Sequence, residues 1–308
     1  MIKTSAPGSF VLFGEHSVLN GEPAVGCSVS QRLFVTLNNR DDLNVSIDSS
    51  LGYYHSPLNN LAPSFSHRYT LALLERWKHR LKHGLDITIT SELSSVCGLG
   101  SSAALTVALM AALHQLEYNR TDRAEILKDC IAVMLDVQQR GSGLDLASST
   151  YGGIIHYKAP AAMIRPLILQ HPLPLTLFYC GYKTPTPTVL AQVAEASAEA
   201  PHLYKALYRL MGQCTTEAID ALEQDNCEKL GKCMNFYHGL LDTLGVCDKT
   251  LANMLYTLKE QSAVSGVKIS GSGLGDCLVV LGKPDPEVFP AQKIAVDISD
   301  EGVKLETS

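Results

Sequence analysis

Ala103 to Leu113 (AALTVALMAAL) is the longest apolar run in the chain. It is too short to span a bilayer and contains Thr106, so it reads as a helix buried inside protein. Upstream, Leu85 to Thr90 (LDITIT) alternates apolar and polar residues, as a half-exposed strand does. Between them lies Gly98-Leu99-Gly100-Ser101-Ser102-Ala103-Ala104. A strand, a glycine loop and a wrapped helix in succession require a layered α/β arrangement.

That loop has chemistry of its own. Glycines let the backbone approach an anion without a Cβ clash. The helix N-terminus that follows offers unpaired N–H groups and the positive end of a dipole. Ser101 or Ser102 can cap the helix while the other binds phosphate or a magnesium ion. The plainer alternative is a glycine turn with a serine cap. The lysine of GxxxxGK[ST] is missing, and the GxGxxG rhythm breaks after Gly100, so neither a P-loop nor a dinucleotide fingerprint is present.

The 308 residues suggest about two domains at ~150 residues each. Strand patterns dominate the first half, at Phe10–Phe13, Ala24–Val29, Leu33–Leu37 and Leu43–Ile47, and Gly52 to Ser66 reads as a loop. Helical spacing appears over Tyr69–Leu81, Ser102–Glu117 and Arg123–Gln138. Beyond Thr188 four amphipathic helices follow, and strands return at Val267–Ser270, Cys277–Leu281 and Lys293–Ile298. This α+β pattern divides near Pro160 to Pro174, where four prolines cluster. With 46% hydrophobic and 18% charged residues the chain is not globally disordered, and a net charge of −6 argues against nucleic acid as a partner. Nine cysteines without a CxxC pair, in a chain without a secretory signal, read as reduced packed thiols in a soluble cytoplasmic protein. Any metal is expected to arrive with a substrate.

Two further segments extend the picture. Ala6-Pro7-Gly8 followed by Val11-Leu12-Phe13-Gly14-Glu15-His16 lies near the start, and Lys268-Ile-Ser-Gly271-Ser272-Gly273-Leu-Gly275-Asp276-Cys277 near the end. Gly141-Ser-Gly-Leu-Asp145 through Gly153 stands between, and Asn235 to Val246 precedes the last segment. Together with residues 97–104, these resemble the three ordered motifs of the GHMP small-molecule kinases over almost the whole chain, with the first motif in the form that mevalonate kinases carry.

The resemblance implies ATP-dependent transfer of the γ-phosphate, with Mg2+, to the hydroxyl of a small hydroxy acid. Mevalonate to 5-phosphomevalonate, in isoprenoid biosynthesis, is the leading assignment. It also implies a two-domain α+β fold. Residues 1–165 would form a ribosomal-protein-S5-domain-2-like domain with a left-handed βαβ crossover and the ATP phosphate loop, and 166–308 a ferredoxin-like domain. By matched position, Gly98 to Ala104 with Gly271, Ser272 and Gly273 would hold the nucleotide and Ser102 would ligand magnesium. Glu15 and His16 would face the acceptor, and Asp145 would take or orient its hydroxyl proton. For Asp145 the plainer alternative is a turn aspartate; for Glu15-His16 it is a buried strand-end ion pair. Homodimers are frequent in the family.

The sequence departs from the family at three places. The basic residue after Ala-Pro-Gly is Ser9, so Lys3 or Lys183 substitutes or Asp145 works without such a partner. Met134 stands where a mevalonate kinase has its magnesium glutamate, with Asp136 two residues on, and Ser94 replaces a proline. Asp276 and Thr188 are weaker site candidates. Gly141 to Asp145 and Gly275-Asp276-Cys277 lean towards phosphomevalonate kinase, the runner-up. The lost lysine and glutamate keep open a third reading, a nucleotide-binding pseudokinase.

Overall fold

The computed structural model describes residues 1–93 and 98–307, so Ser94 and Cys97 lie outside the described residues. The first sheet contains β1 (Ile2–Phe13), β2 (Ala24–Asn39), β3 (Asn44–Ser49), β4 (Gly52–Pro57), β5 (Leu85–Ser91), β6 (Ile154–Lys158) and β7 (Met163–Leu167). The second contains β8 (Leu175–Lys183), β9 (Val264–Ser270), β10 (Gly275–Gly282) and β11 (Lys293–Ala295); β12 (Lys304–Leu305) returns to the first and pairs with β1. A cut between 165 and 166 would therefore split β7 and part β12 from its sheet. The buried Arg32 guanidinium fixes that return by donating to the Glu301 and Gly302 carbonyls at 3.2 and 2.7 Å.

The helices are α1 (Arg68–Trp77), α2 (Ser101–Tyr118), α3 (Arg123–Gln138), α4 (Leu144–Tyr151), α5 (Thr186–Glu199), α6 (Pro201–Glu223), α7 (Cys227–Thr243) and α8 (Lys249–Lys259). The apolar run at 103–113 lies within α2, where Leu105 alone of its residues is not fully buried. The helix packs on β1 and β2 and against α1, α3 and α4. Its alanines let those neighbours approach closely, which a face of larger side chains would prevent. No helix among the described residues is long and apolar enough to cross a membrane.

Two details differ from the sequence expectations. Gly52–Pro57, expected as loop, is a strand hairpinned to β3, because Tyr54 and Ser56 turn inward and supply the alternation that the prolines and asparagines mask. In the second sheet the order β11-β8-β10-β9, antiparallel throughout, is that of a ferredoxin-like unit, but residues 283–292 cross without a helix. The two sheets meet where β1 touches β9, and the Ser270 hydroxyl donates to the Val11 carbonyl there at 2.8 Å.

Candidate active site

The glycine loop is seated on β1. The Ser9 N–H donates to the Leu99 carbonyl at 3.1 Å, and a Cβ on Gly100 would lie 2.6 Å from Ser9 Oγ. Gly100 precedes α2 with φ +64°, a left-handed conformation that suits glycine. Among the described residues no side chain caps α2: Ser101 and Ser102 stand inside its first turn, after Gly100 at the N-cap, so neither serine is the cap. The Leu99, Ala103 and Ala104 side chains are buried, which leaves only their backbone to meet a ligand; Ser102 is exposed. An uncapped N-terminus with free N–H groups is suited to an anion.

Asp145 sits in the first turn of α4, directly after Gly143 and Leu144, and is not a turn residue. Solvent reaches its surface, yet protein crowds it on the remaining sides. That crowding raises its carboxyl above the ordinary aspartate range; Lys183 opposes the rise and Asp276 adds to it. Solvent access damps the rise.

Asp276 is the second residue of β10 and is 3% exposed. Its Oδ2 pairs with Lys183 Nζ at 2.7 Å, while Oδ1 has no hydrogen-bond partner among the described residues. A Cβ on Gly98 would lie 2.0 Å from Oδ1, and one on Gly271 would lie 2.9 Å from Oδ2. The second and third motifs thus close on one carboxylate, and that carboxylate occupies the space a side chain at Gly98 would need. Burial works against the Lys183 charge, but Asp276 and then Asp145 more than reverse it, so the ammonium's pKa stays raised.

Glu15 and His16 follow β1 at the junction of the sheets. Glu15 Oε1 is ion-paired with Lys268 Nζ, and both side chains are sealed, as in the buried-pair alternative. Burial pushes the Glu15 carboxyl up and the Lys268 ammonium down; their mutual attraction opposes both shifts, and the Glu15 and Gly271 backbone amides also favour the carboxylate. Lys268 Nζ faces the Tyr237 and Phe13 rings at 5.4 and 5.7 Å. The Tyr237 hydroxyl accepts from the Gly14 N–H at 3.1 Å and donates to the Glu15 carbonyl at 3.0 Å. This clamp holds His16 at φ 60° and ψ −49°, a costly backbone conformation for a non-glycine residue. His16 Nε2 lies 2.9 Å from the Ser272 carbonyl, so that nitrogen bears the proton. Burial lowers the ring's pKa and keeps it neutral, leaving Nδ1 as a buried acceptor without a partner among the described residues.

The structure thus brings motifs one, two and three together, with Lys183 and Asp145, at one junction. Other candidates lie away from it. The Lys3 ammonium covers the Phe34 ring at 5.4 Å and is absent from the charges acting on Asp145. Met134 is buried, with its sulfur 2.6 Å from where a Cβ on Gly141 would be. Asp136 pairs with Arg76 of α1 on the outer surface, and Thr188 is exposed in α5. The sequence reading gave no part to Lys268 or Tyr237. A lysine inside the strand pattern Val267-Lys-Ile-Ser270 was the available signal, since a charge there is either solvent-facing or paired.

Comparison with known proteins identifies the family. The family description "GHMP kinases N terminal domain" matches residues 67–153 and "GHMP kinases C terminal" matches 218–294. The chain is 32% identical to the mevalonate kinase of Pyrococcus horikoshii, over 99% of this chain and 98% of that protein. The mevalonate kinase of Thermococcus gammatolerans is 33% identical with the same coverage. The crystal structure of L. major mevalonate kinase in complex with R-mevalonate superposes with a TM-score of 0.74 at 25% identity, over 92% of this chain and 87% of that one. The chain belongs to the GHMP kinases.

Proposed function

We propose that the chain transfers the γ-phosphate of ATP to the hydroxyl of mevalonate. The observation that carries this reading is Asp145: a carboxylate open to solvent in the first turn of α4, electrostatically coupled to Lys183 and to the Asp276 that seals the two glycine loops. A residue serving only packing would have no need of that position. The full-length likeness to mevalonate kinases supports the choice of acceptor.

Phosphoryl transfer requires a positioned hydroxyl, neutralised charge on the transferring group and exclusion of water. The free N–H groups at the start of α2 hold the phosphates, and the Gly271 to Gly275 loop closes over them. Asp145 accepts or orients the proton of the acceptor hydroxyl. His16 Nδ1, a buried acceptor without a partner among the described residues, would take a hydrogen bond from the acceptor molecule, and Glu15 would act through Lys268 and the Tyr237 clamp by fixing that turn. A magnesium ion arriving with ATP would be held by the exposed Ser102 hydroxyl. When bound, that ion supplies charge neutralisation on the phosphates.

The test is ADP release with mevalonate, phosphomevalonate and a panel of sugars, for wild type and Asp145→Asn. Turnover with mevalonate that Asp145→Asn abolishes is the expected result. Turnover with phosphomevalonate alone would move the acceptor to the runner-up, and nucleotide binding without any turnover would make the chain a pseudokinase.

A further inference from the structure

Two groups expected from the family have no counterpart at their usual positions: Ser9 carries no cation, and Met134 carries no carboxylate. The Lys183–Asp276 pair puts both missing chemistries at the junction of the glycine loops. We propose that this pair is a relocated phosphate-site unit: Lys183 is the cation beside Asp145, and Asp276 Oδ1 is, with Ser102, an oxygen that holds the divalent ion brought by the nucleotide. The inference rests on the kinase reading above and deepens it.

Three observations carry it. First, Asp276 is 3% exposed while Oδ1 has no partner among the described residues, and a buried carboxylate oxygen without a donor is costly unless a cation comes to it. Second, that oxygen lies against Gly98, in the loop that leads into the uncapped N-terminus of α2 and Ser102. Third, two carboxyl groups, those of Asp145 and Asp276, stand against the single Lys183 ammonium beside a loop suited to phosphates. A polyphosphate would meet net repulsion there without a divalent cation, and hard oxygen donors suit magnesium. Glu15 Oε2, the other buried carboxylate oxygen without a full hydrogen bond, differs. It is sealed beside Lys268 and favoured by two backbone amides, whereas the Lys183 side chain is 40% exposed to an entering ligand.

The experiment measures ADP binding by calorimetry with EDTA and again with Mn2+, and bound Mn2+ by electron paramagnetic resonance, on folded full-length protein. Wild type should bind ADP at least about tenfold more tightly with Mn2+. Asp276→Asn should bring that ratio close to one without weakening binding in EDTA, since it removes a negative charge. Lys183→Met, at an exposed side chain, should weaken binding in EDTA by about tenfold and keep the ratio, and Lys183→Arg should restore the affinity. Asp276→Ser serves the same comparison if Asp276→Asn does not fold. A carboxylate that merely pins the two loops predicts equal losses with and without metal, and that outcome overturns the proposal, as does an unchanged Mn2+ ratio in both Asp276 variants. Wild type that binds no ADP under either condition would instead overturn the kinase reading itself.

Discussion

The second sheet carries two lysine–carboxylate pairs at its junction with the first, and access is what separates them. Lys268 and Glu15 are 0% and 1% exposed in their side chains, walled by Phe13 and Tyr237, and tie β9 to the end of β1. Lys183 and Asp276 are 40% and 5% exposed, with Asp145 in electrostatic reach. Similar chemistry thus serves two ends. A sealed pair has no route to a ligand, and its strength is spent on holding the His16 turn. An open pair leaves charge for a ligand to complete. Buried ion pairs are weak evidence of net stability, but removing one partner strands the other.

The largest expected effect falls on the open side. Asp145→Asn should lower turnover with mevalonate by about 10²- to 10⁴-fold while ATP binding survives, as measured by ADP release and calorimetry. Parallel loss of nucleotide binding would mean that Asp145 holds structure and not a proton. On the sealed side, Lys268→Met should cost about 3–5 kcal/mol in urea unfolding, and Lys268→Met with Glu15→Gln should recover most of it. A double variant as unstable as the single one would show that the cation–aromatic contacts matter more than the pair.

Smaller effects sharpen the contrast. Ser102→Ala should slow turnover by about tenfold with unfolding stability within about 0.5 kcal/mol of wild type, because Ser102 does not cap α2. A lower melting point with unchanged rate would reverse that reading. Lys183→Met should move the acidic limb of the rate profile to higher pH. Lys183 lowers the Asp145 pKa, so without it the carboxyl stays protonated, and inactive as a base, to a higher pH. No such movement should follow Lys268→Met, since Lys268 is absent from the charges acting on Asp145.

Much of this was readable from local pattern. The buried α2, the glycine loops and the strand-rich and helix-rich halves follow from periodicity and from residues whose backbone freedom is distinctive. The sequence missed β4, since prolines and asparagines hid its alternation, and it could not foresee that residues beyond Ala295 leave the second sheet, where Ile298 bridges to Val29 and β12 reaches β1. Nor could it decide what Glu15 faces. A glutamate after a strand reads alike whether it meets a substrate or a lysine more than two hundred positions away.

The sequence by itself determined the family, the layered fold and the identity of the carboxylates and lysines, because these depend on residue type and short spacing. Only the tertiary structure decided which lysine meets which carboxylate, and which pair stays open. Electrostatic partnership depends on distance and burial, and both are set by chain segments separated by 253 positions for Lys268 and Glu15 and joined only when the two sheets dock.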